Sequence, residues 1–425
     1  MPAAGRPVPP AADARWRFAR LLSAAHRLGF AAAALLFAGS ALWWLALLAA
    51  RAAGLPLAWA VPPALAHGLL FALGYPPLFM AGFLFSTGPH WLQLPQPPAS
   101  VLRRPVALML GGWLLAIVGF HAAAPLAAAG VAAAALGWAR LVWRFARLLR
   151  RSPAPNRLHP AVVVVAATVG VGALALATAA LAGGWWSALR AAVLLALWGF
   201  LAPTFAAASQ RLVSFLDEAL PALQARRPNL PLALLLVVLG LQAVAAVAAA
   251  LGPQPWPAAA RWLQAGFEAL AAALVFVLVL RAALTQRLRI RTLAMLVAGL
   301  FWLGLAFALA SVAHAGQALG GAAPALGLAP LHALTVGYLG STLLALITRV
   351  SAGQTGRAVA VDAPAWALWW TLQAAVALRL LAAGWAPHGD ALSLAAAALW
   401  AVVAVGWAWR YGGWLGRPRI DGRPG

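Results

Sequence analysis

Residues 230–252 read LPLALLLVVLGLQAVAAVAAALG, 23 residues without a charge and with Gln242 as the one polar side chain. At 1.5 Å per residue a helix of this length runs about 34 Å, enough to cross the ~30 Å hydrocarbon core of a bilayer. Eleven further segments have the same character: 28–50, 60–85, 105–122, 124–143, 160–182, 187–208, 262–282, 292–313, 327–349, 365–385 and 393–410. Gly and Pro punctuate them, as at Gly183–Gly184, Gly252–Pro253 and Pro387–Gly389. The composition agrees: of 425 residues 64% are hydrophobic and 9% charged, where a soluble domain carries about 25% charged residues. A soluble enzyme, a disordered chain and a coiled coil are thereby excluded. The expected fold is an all-α polytopic membrane protein with about twelve transmembrane helices in one bundle. That bundle would span 28–410, with basic tails at 1–27 and 411–425.

The arginines test this count. There are 30 basic residues, all arginine, against 7 acidic, for a net charge of +23. An even number of spans puts both termini on one side. The stretches that then share that side are 1–27, 103–104, 140–157, 211–227, 281–291, 349–357 and 410–423, and they hold 26 of the 30 arginines. Only Arg51, Arg190, Arg261 and Arg379 fall elsewhere. Positive charge accumulates on cytoplasmic loops, so both termini are expected in the cytoplasm. With so much Ala, Gly and Pro, arginine over lysine is read as codon bias and not as function. The charge is spread over short loops and forms no basic surface outside lipid, which argues against a nucleic-acid partner. Membrane lipids are the expected surroundings, and the 22 Trp, many near segment ends, suit interfacial belts. The absence of cysteine removes disulfides, thiolate metal sites, iron–sulfur clusters and covalent haem attachment.

This topology gives each polar residue a depth. His67 falls in the outer third of the second segment, and His332 one turn from the outer end of the tenth. His121 and His314 close the third and ninth, Glu268 lies in the outer half of the eighth, and Arg190 and Arg379 lie near the outer ends of the sixth and eleventh. Ionisable groups inside a bilayer are costly and are functional candidates by default. Neutral imidazole ligates copper and haem iron. Each residue also has a plain reading: His121, His314 and Arg190 are near enough to the surface to snorkel or cap a helix. His67 and His332 lie deeper, on segments with small and polar faces. His332, Thr335, Thr342 and Arg349 follow helical spacing, and Gly74 and Gly82 fall near the His67 face, where they suit either a flat macrocycle or helix packing. Pro76–Pro77 predicts a break below His67. There is no His-x-x-x-His, His-His or Glu-x-x-His, so any metal site must be assembled from several helices, and no catalytic constellation is visible. This argues against a haem–copper oxidase subunit, which needs an adjacent His pair and further His.

Two stretches carry a resemblance. One is His332-Ala333-Leu334-Thr335-Val336-Gly337, continuing through Thr348-Arg349 to Gly353-Gln354-Thr355-Gly356-Arg357. The other is His67, Gly74-Tyr75, Ala81-Gly82-Phe83-Leu84 and Pro89-His90-Trp91. Together they resemble the NnrS family, multi-span haem- and copper-containing proteins of bacterial inner membranes linked to nitric oxide metabolism and nitrosative-stress tolerance. Weaker echoes are His26-Arg27 and Arg211-Leu212-Val213 with Phe215. The chain departs from the family pattern where Leu69 and Leu70 replace a His and a Glu, where Gln354 replaces a His, and where His90 replaces an Asn. It resembles a divergent member in which one metal centre is lost.

The resemblance implies an inner-membrane haem protein, with non-covalent b-type haem favoured over copper because haem needs one or two axial ligands and copper usually three or more N or S donors. It gives His332 and His67 the ligand roles, with His314 and His121 as second candidates. Arg379, and after it Arg190, would pair with haem propionates. Nitric oxide is the implied small-molecule partner. Two other readings stay open: a proton-coupled secondary transporter relaying protons through His and Glu268, and a metal-free structural or assembly membrane protein. Whether the chain is an enzyme is left open.

Overall fold

The structure, a computed structural model, describes residues 15–216, 229–320 and 326–422. Parts of both predicted tails and most of the loop at 209–229 lie outside the described residues. Twelve helices are long and apolar enough to cross a membrane, and no strand occurs among the described residues. In chain order they are span 1 (Ala25–Ala52), span 2 (Pro63–Leu84), span 3 (Ser100–Ala122), span 4 (Ala124–Arg151), span 5 (Leu158–Gly183) and span 6 (Trp186–Val213). Then follow span 7 (Leu230–Leu251), span 8 (Ala258–Thr285), span 9 (Arg291–Ala318), span 10 (Ala329–Gln354), span 11 (Ala363–Gly384) and span 12 (Gly389–Leu415). The predicted order holds throughout. The helices outrun the predicted segments at the arginine-rich ends. Span 4 continues to Arg151 and span 8 to Thr285, where 140–157 and 281–291 read as loops. Arginine is a good helix former whose stem lies along apolar surface while its head reaches water, so a helix need not stop at the hydrocarbon boundary.

Consecutive helices pack as antiparallel neighbours (3 on 4, 4 on 5, 8 on 9, 11 on 12), and span 12 closes back onto span 1. Spans 2, 6 and 10 are the most enclosed, with 72, 83 and 72% of their apolar windows buried, against 22–28% for spans 7, 8 and 11. The same three central spans are the ones with irregular backbone. Span 2 breaks at Gly74 into helices Pro63–Leu73 and Tyr75–Leu84, as Pro76–Pro77 predicted. A Cβ at Gly74 would lie 2.3 Å from the Leu70 carbonyl oxygen, so the break requires glycine. Span 6 carries a π-helical turn over Ala196–Leu201, just before Pro203. Proline lacks the N–H that would close the ordinary turn, and a wider turn relieves the ring's clash with the preceding carbonyl. Span 10 carries a second π turn, Ala333–Leu339, directly after His332. Irregular backbone exposes polar groups that lipid cannot satisfy, so it is tolerated only where protein surrounds it.

Gly82 serves helix packing. Spans 1 and 2 cross at Gly29 and Gly82, where a Cβ on Gly29 would meet the Gly82 nitrogen at 2.5 Å and one on Gly82 the Phe30 ring at 2.6 Å.

The first and last described segments meet on one face, as an even span count requires. Arg17 N–H donates to the Gly416 carbonyl (2.9 Å), and the buried Arg27 donates through Nη1 to the carbonyls of Leu415 and Arg417 (2.6 and 2.7 Å). The turn Gly353–Arg357 receives the C-terminal strap: Ile420 N–H donates to the Thr355 carbonyl (3.2 Å), Arg419 to the Gln354 carbonyl (2.9 Å), and Asp421 seats against Gly356, whose φ is +75°. Hydrogen bonding to Asp421 raises the Arg419 guanidinium pKa, whereas burial and the neighbouring Arg417 lower that of Arg357. Two stretches that carried the resemblance, His26-Arg27 and Gly353–Arg357, therefore hold the chain ends together.

Candidate functional site

On the face opposite the termini, three elements bring ionisable groups together. His67 projects from the first half of span 2, His332 from the first turn of span 10, and Arg379 from the last third of span 11. His67 lies within electrostatic reach of both His332 and Arg379, and His332 within reach of Arg379. Span 11, which carries Arg379, packs against the first turn of span 10, which carries His332. His67 is thus brought within electrostatic reach of His332 and Arg379, which lie on two consecutive spans far along the chain from it.

Each imidazole is held in a definite setting. His332 Nδ1–H donates to the Leu328 carbonyl at 2.8 Å, which fixes the tautomer and leaves Nε2 as the lone-pair nitrogen. His67 is stacked on Trp44 of span 1 (centroids 4.1 Å apart, planes 20° apart) and lies against Phe71 (4.2 Å). Its Nδ1 is buried and has no hydrogen-bond partner among the described residues. An orphaned buried nitrogen costs free energy unless something pairs with it. Beneath the pair Trp302 Nε1–H donates to Gln373 Oε1 (2.7 Å) and Gln373 to Ser341 Oγ (3.0 Å), tying spans 9, 10 and 11. The π turn widens span 10 just past His332, so His332, Thr335, Thr342 and Arg349 do not keep the regular spacing of one α-helical face. Thr335 Oγ1 bonds back to the Leu331 carbonyl (2.9 Å), and Thr342 is buried against span 9 at Gly299.

The other predicted residues have different settings. His121 has both nitrogens engaged: Nδ1–H donates to the Ala58 carbonyl (2.9 Å) and Nε2 accepts from Trp43 Nε1 (3.1 Å). Arg190 is exposed. His314 pairs through Nδ1 with Glu268 Oε2 at 2.6 Å, in a cluster formed by spans 7, 8 and 9. Glu268 is fully buried there, and its Oε1 accepts from Gln242 (3.1 Å) and Gln264 (2.8 Å). Gln242 and Gln264 were missed as site residues. Their signal was present, since Gln242 is the one polar residue of segment 230–252 and Gln264 precedes Glu268 by one helical turn. Trp44 is one of the tryptophans near a segment end, a position that by itself suggests only an interfacial belt. An apolar cleft in the half nearer the termini, walled by Phe30, Phe79, Phe205 and Ile347, carries no imidazole.

The donor set can be compared with what a metal needs. Among the described residues no three His, Asp or Glu come together. Two imidazoles and a guanidinium are the kinds of donor that a haem iron and its propionates take, and fall short of the three donors copper usually takes.

No individually curated protein matches the chain. A family model described as NnrS protein matches residues 20–419, nearly its whole length. The chain belongs to the NnrS family.

Proposed function

We propose that this chain is a haem protein of the bacterial cytoplasmic membrane that acts in the response to nitric oxide, with its arginine-rich face in the cytoplasm and its haem near the opposite face. His332 and His67 would hold the iron and Arg379 would pair with propionates. The observation that carries this reading is the convergence of these three side chains from spans 2, 10 and 11 with His332 Nε2 left as a lone pair and His67 Nδ1 left unpaired. Family membership supports the nitric oxide role. When bound, haem would supply an iron that takes up nitric oxide.

The chain's own residues do the rest. The Leu328 carbonyl holds His332 in the tautomer whose Nε2 can donate to a metal. Trp44 and Phe71 clamp the His67 ring and exclude water from one side of it. Arg379, half-buried, supplies positive charge, and a guanidinium forms charge-assisted hydrogen bonds to carboxylates. Copper, the other metal of the family reading, would need a third donor from outside this set. A visible spectrum of the purified protein, reduced minus oxidised, with iron and copper counted on the same sample, tests the proposal. A Soret band that shifts with nitric oxide is expected, and haem-free, normally folded protein would end it.

A further inference from the structure

The Glu268 cluster has features that helix packing does not require. Glu268 is ten residues into span 8, about 15 Å along the helix from its end. Its side chain is 0% exposed. A buried carboxylate is costly, and here three N–H groups converge on it: Gln242 and Gln264 on Oε1, His314 on Oε2. His314 stands only four residues from the end of span 9, and its side chain is 32% exposed. One ring therefore bridges a carboxylate sealed from water and the rim facing away from the termini. The imidazole presents Nδ1 inward, and Nε2 has no hydrogen-bond partner among the described residues. The remaining charged groups on the packed helices stand apart. Arg261 donates to the Gln317 carbonyl at the rim (2.7 Å), and Arg281 and Arg291 lie towards the opposite ends of spans 8 and 9. Span 7 has no charged residue, and His332, on the neighbouring span 10, is engaged with Leu328.

We infer that Glu268 and His314 form a proton-binding site that exchanges with the aqueous phase on the face opposite the termini. A proton from water adds to His314 Nε2 while the Nδ1 proton passes to Glu268 Oε2. The carboxylate becomes a carboxylic acid, the imidazole is left as its other neutral tautomer, and the pair gains one proton and one positive charge; no electrons move. The amides of Gln242 and Gln264 make the unprotonated state tolerable by donating to Oε1. The site uses neither His67 nor His332, so it stands or falls separately from haem binding.

Infrared difference spectroscopy on protein oriented in vesicles decides it. The chain has two glutamates, so ¹³C-glutamate labelling of a Glu218→Gln background leaves Glu268 as the one labelled carboxyl side chain. A labelled carboxylic-acid band should grow as the bath on the face opposite the termini is acidified. His314→Phe should slow its appearance after a pH jump by at least about tenfold. A folded protein with no such band would overturn the site. A band that follows the bath on the terminal face, or a jump unaffected by His314→Phe, would overturn the assigned route.

Discussion

Two polar clusters lie towards the same face of this bundle, and they are built on opposite terms. Around Glu268 each carboxylate oxygen is paired with protein, and three helices are pinned by the result. Around His67 and His332 the pairing is incomplete: one buried nitrogen has no partner and the other ring presents a lone pair. A satisfied network stabilises the fold, because removing one member leaves the others buried and unpaired. An unsatisfied one costs stability in the free protein and is retained where a ligand completes it. The contrast teaches that burial of polar groups by itself does not mark a metal site; what sets this pair apart is that two imidazoles with open nitrogens lie within electrostatic reach of one another.

The contrast can be broken by mutation. The largest effect is expected from His332→Ala, which should abolish the Soret band while leaving the thermal unfolding of the haem-free protein nearly unchanged. Glu268→Ala should do the reverse, lowering stability by about 1–3 kcal/mol in detergent unfolding with the spectrum of the surviving folded fraction intact. Arg379→Leu should leave the Soret band in place and weaken haem retention about 10–100-fold, read by transfer of haem to apomyoglobin. His67→Phe, which keeps the stacking on Trp44 and removes the unpaired nitrogen, should change the stability of haem-free protein by less than about 1.5 kcal/mol. If Glu268→Ala cost nothing and His67→Phe were severely destabilising, the assignment of the two clusters would be inverted.

Much of the site was legible because membrane topology converts sequence position into depth. Once twelve spans were counted, His67, His332, Glu268 and Arg379 had to lie towards one face. Which of them touch could not be read, since it depends on how spans 1, 2, 10 and 11 are placed around one another. His314 and Glu268 are 46 residues apart and bond at 2.6 Å, while His314 and His332, only 18 apart, enter different clusters. The break at Gly74 was legible because two prolines announce it. The π turn after His332 has no such marker, as Ala333–Leu339 contains no proline and its glycine is packed on Trp302. The resemblance at Gly353–Arg357, where Gln354 stands in place of a family His, did not say what the turn does here. That turn lies at the far end of span 10, roughly 30 Å along the helix from His332, where it seats the C-terminal strap.

Composition and spacing alone determined the solvent, the number of crossings and the side on which each polar group lies. These follow from one-dimensional quantities: a helix gains 1.5 Å per residue, lipid tolerates about 20 apolar residues, and arginine is excluded from the core. Tertiary structure decided which imidazoles are already bonded and which remain open, that the three irregular spans occupy the centre, and that Glu268 is sealed while His314 reaches the rim. Those outcomes depend on azimuth and on packing between helices, to which every span contributes at once, so no single segment encodes them.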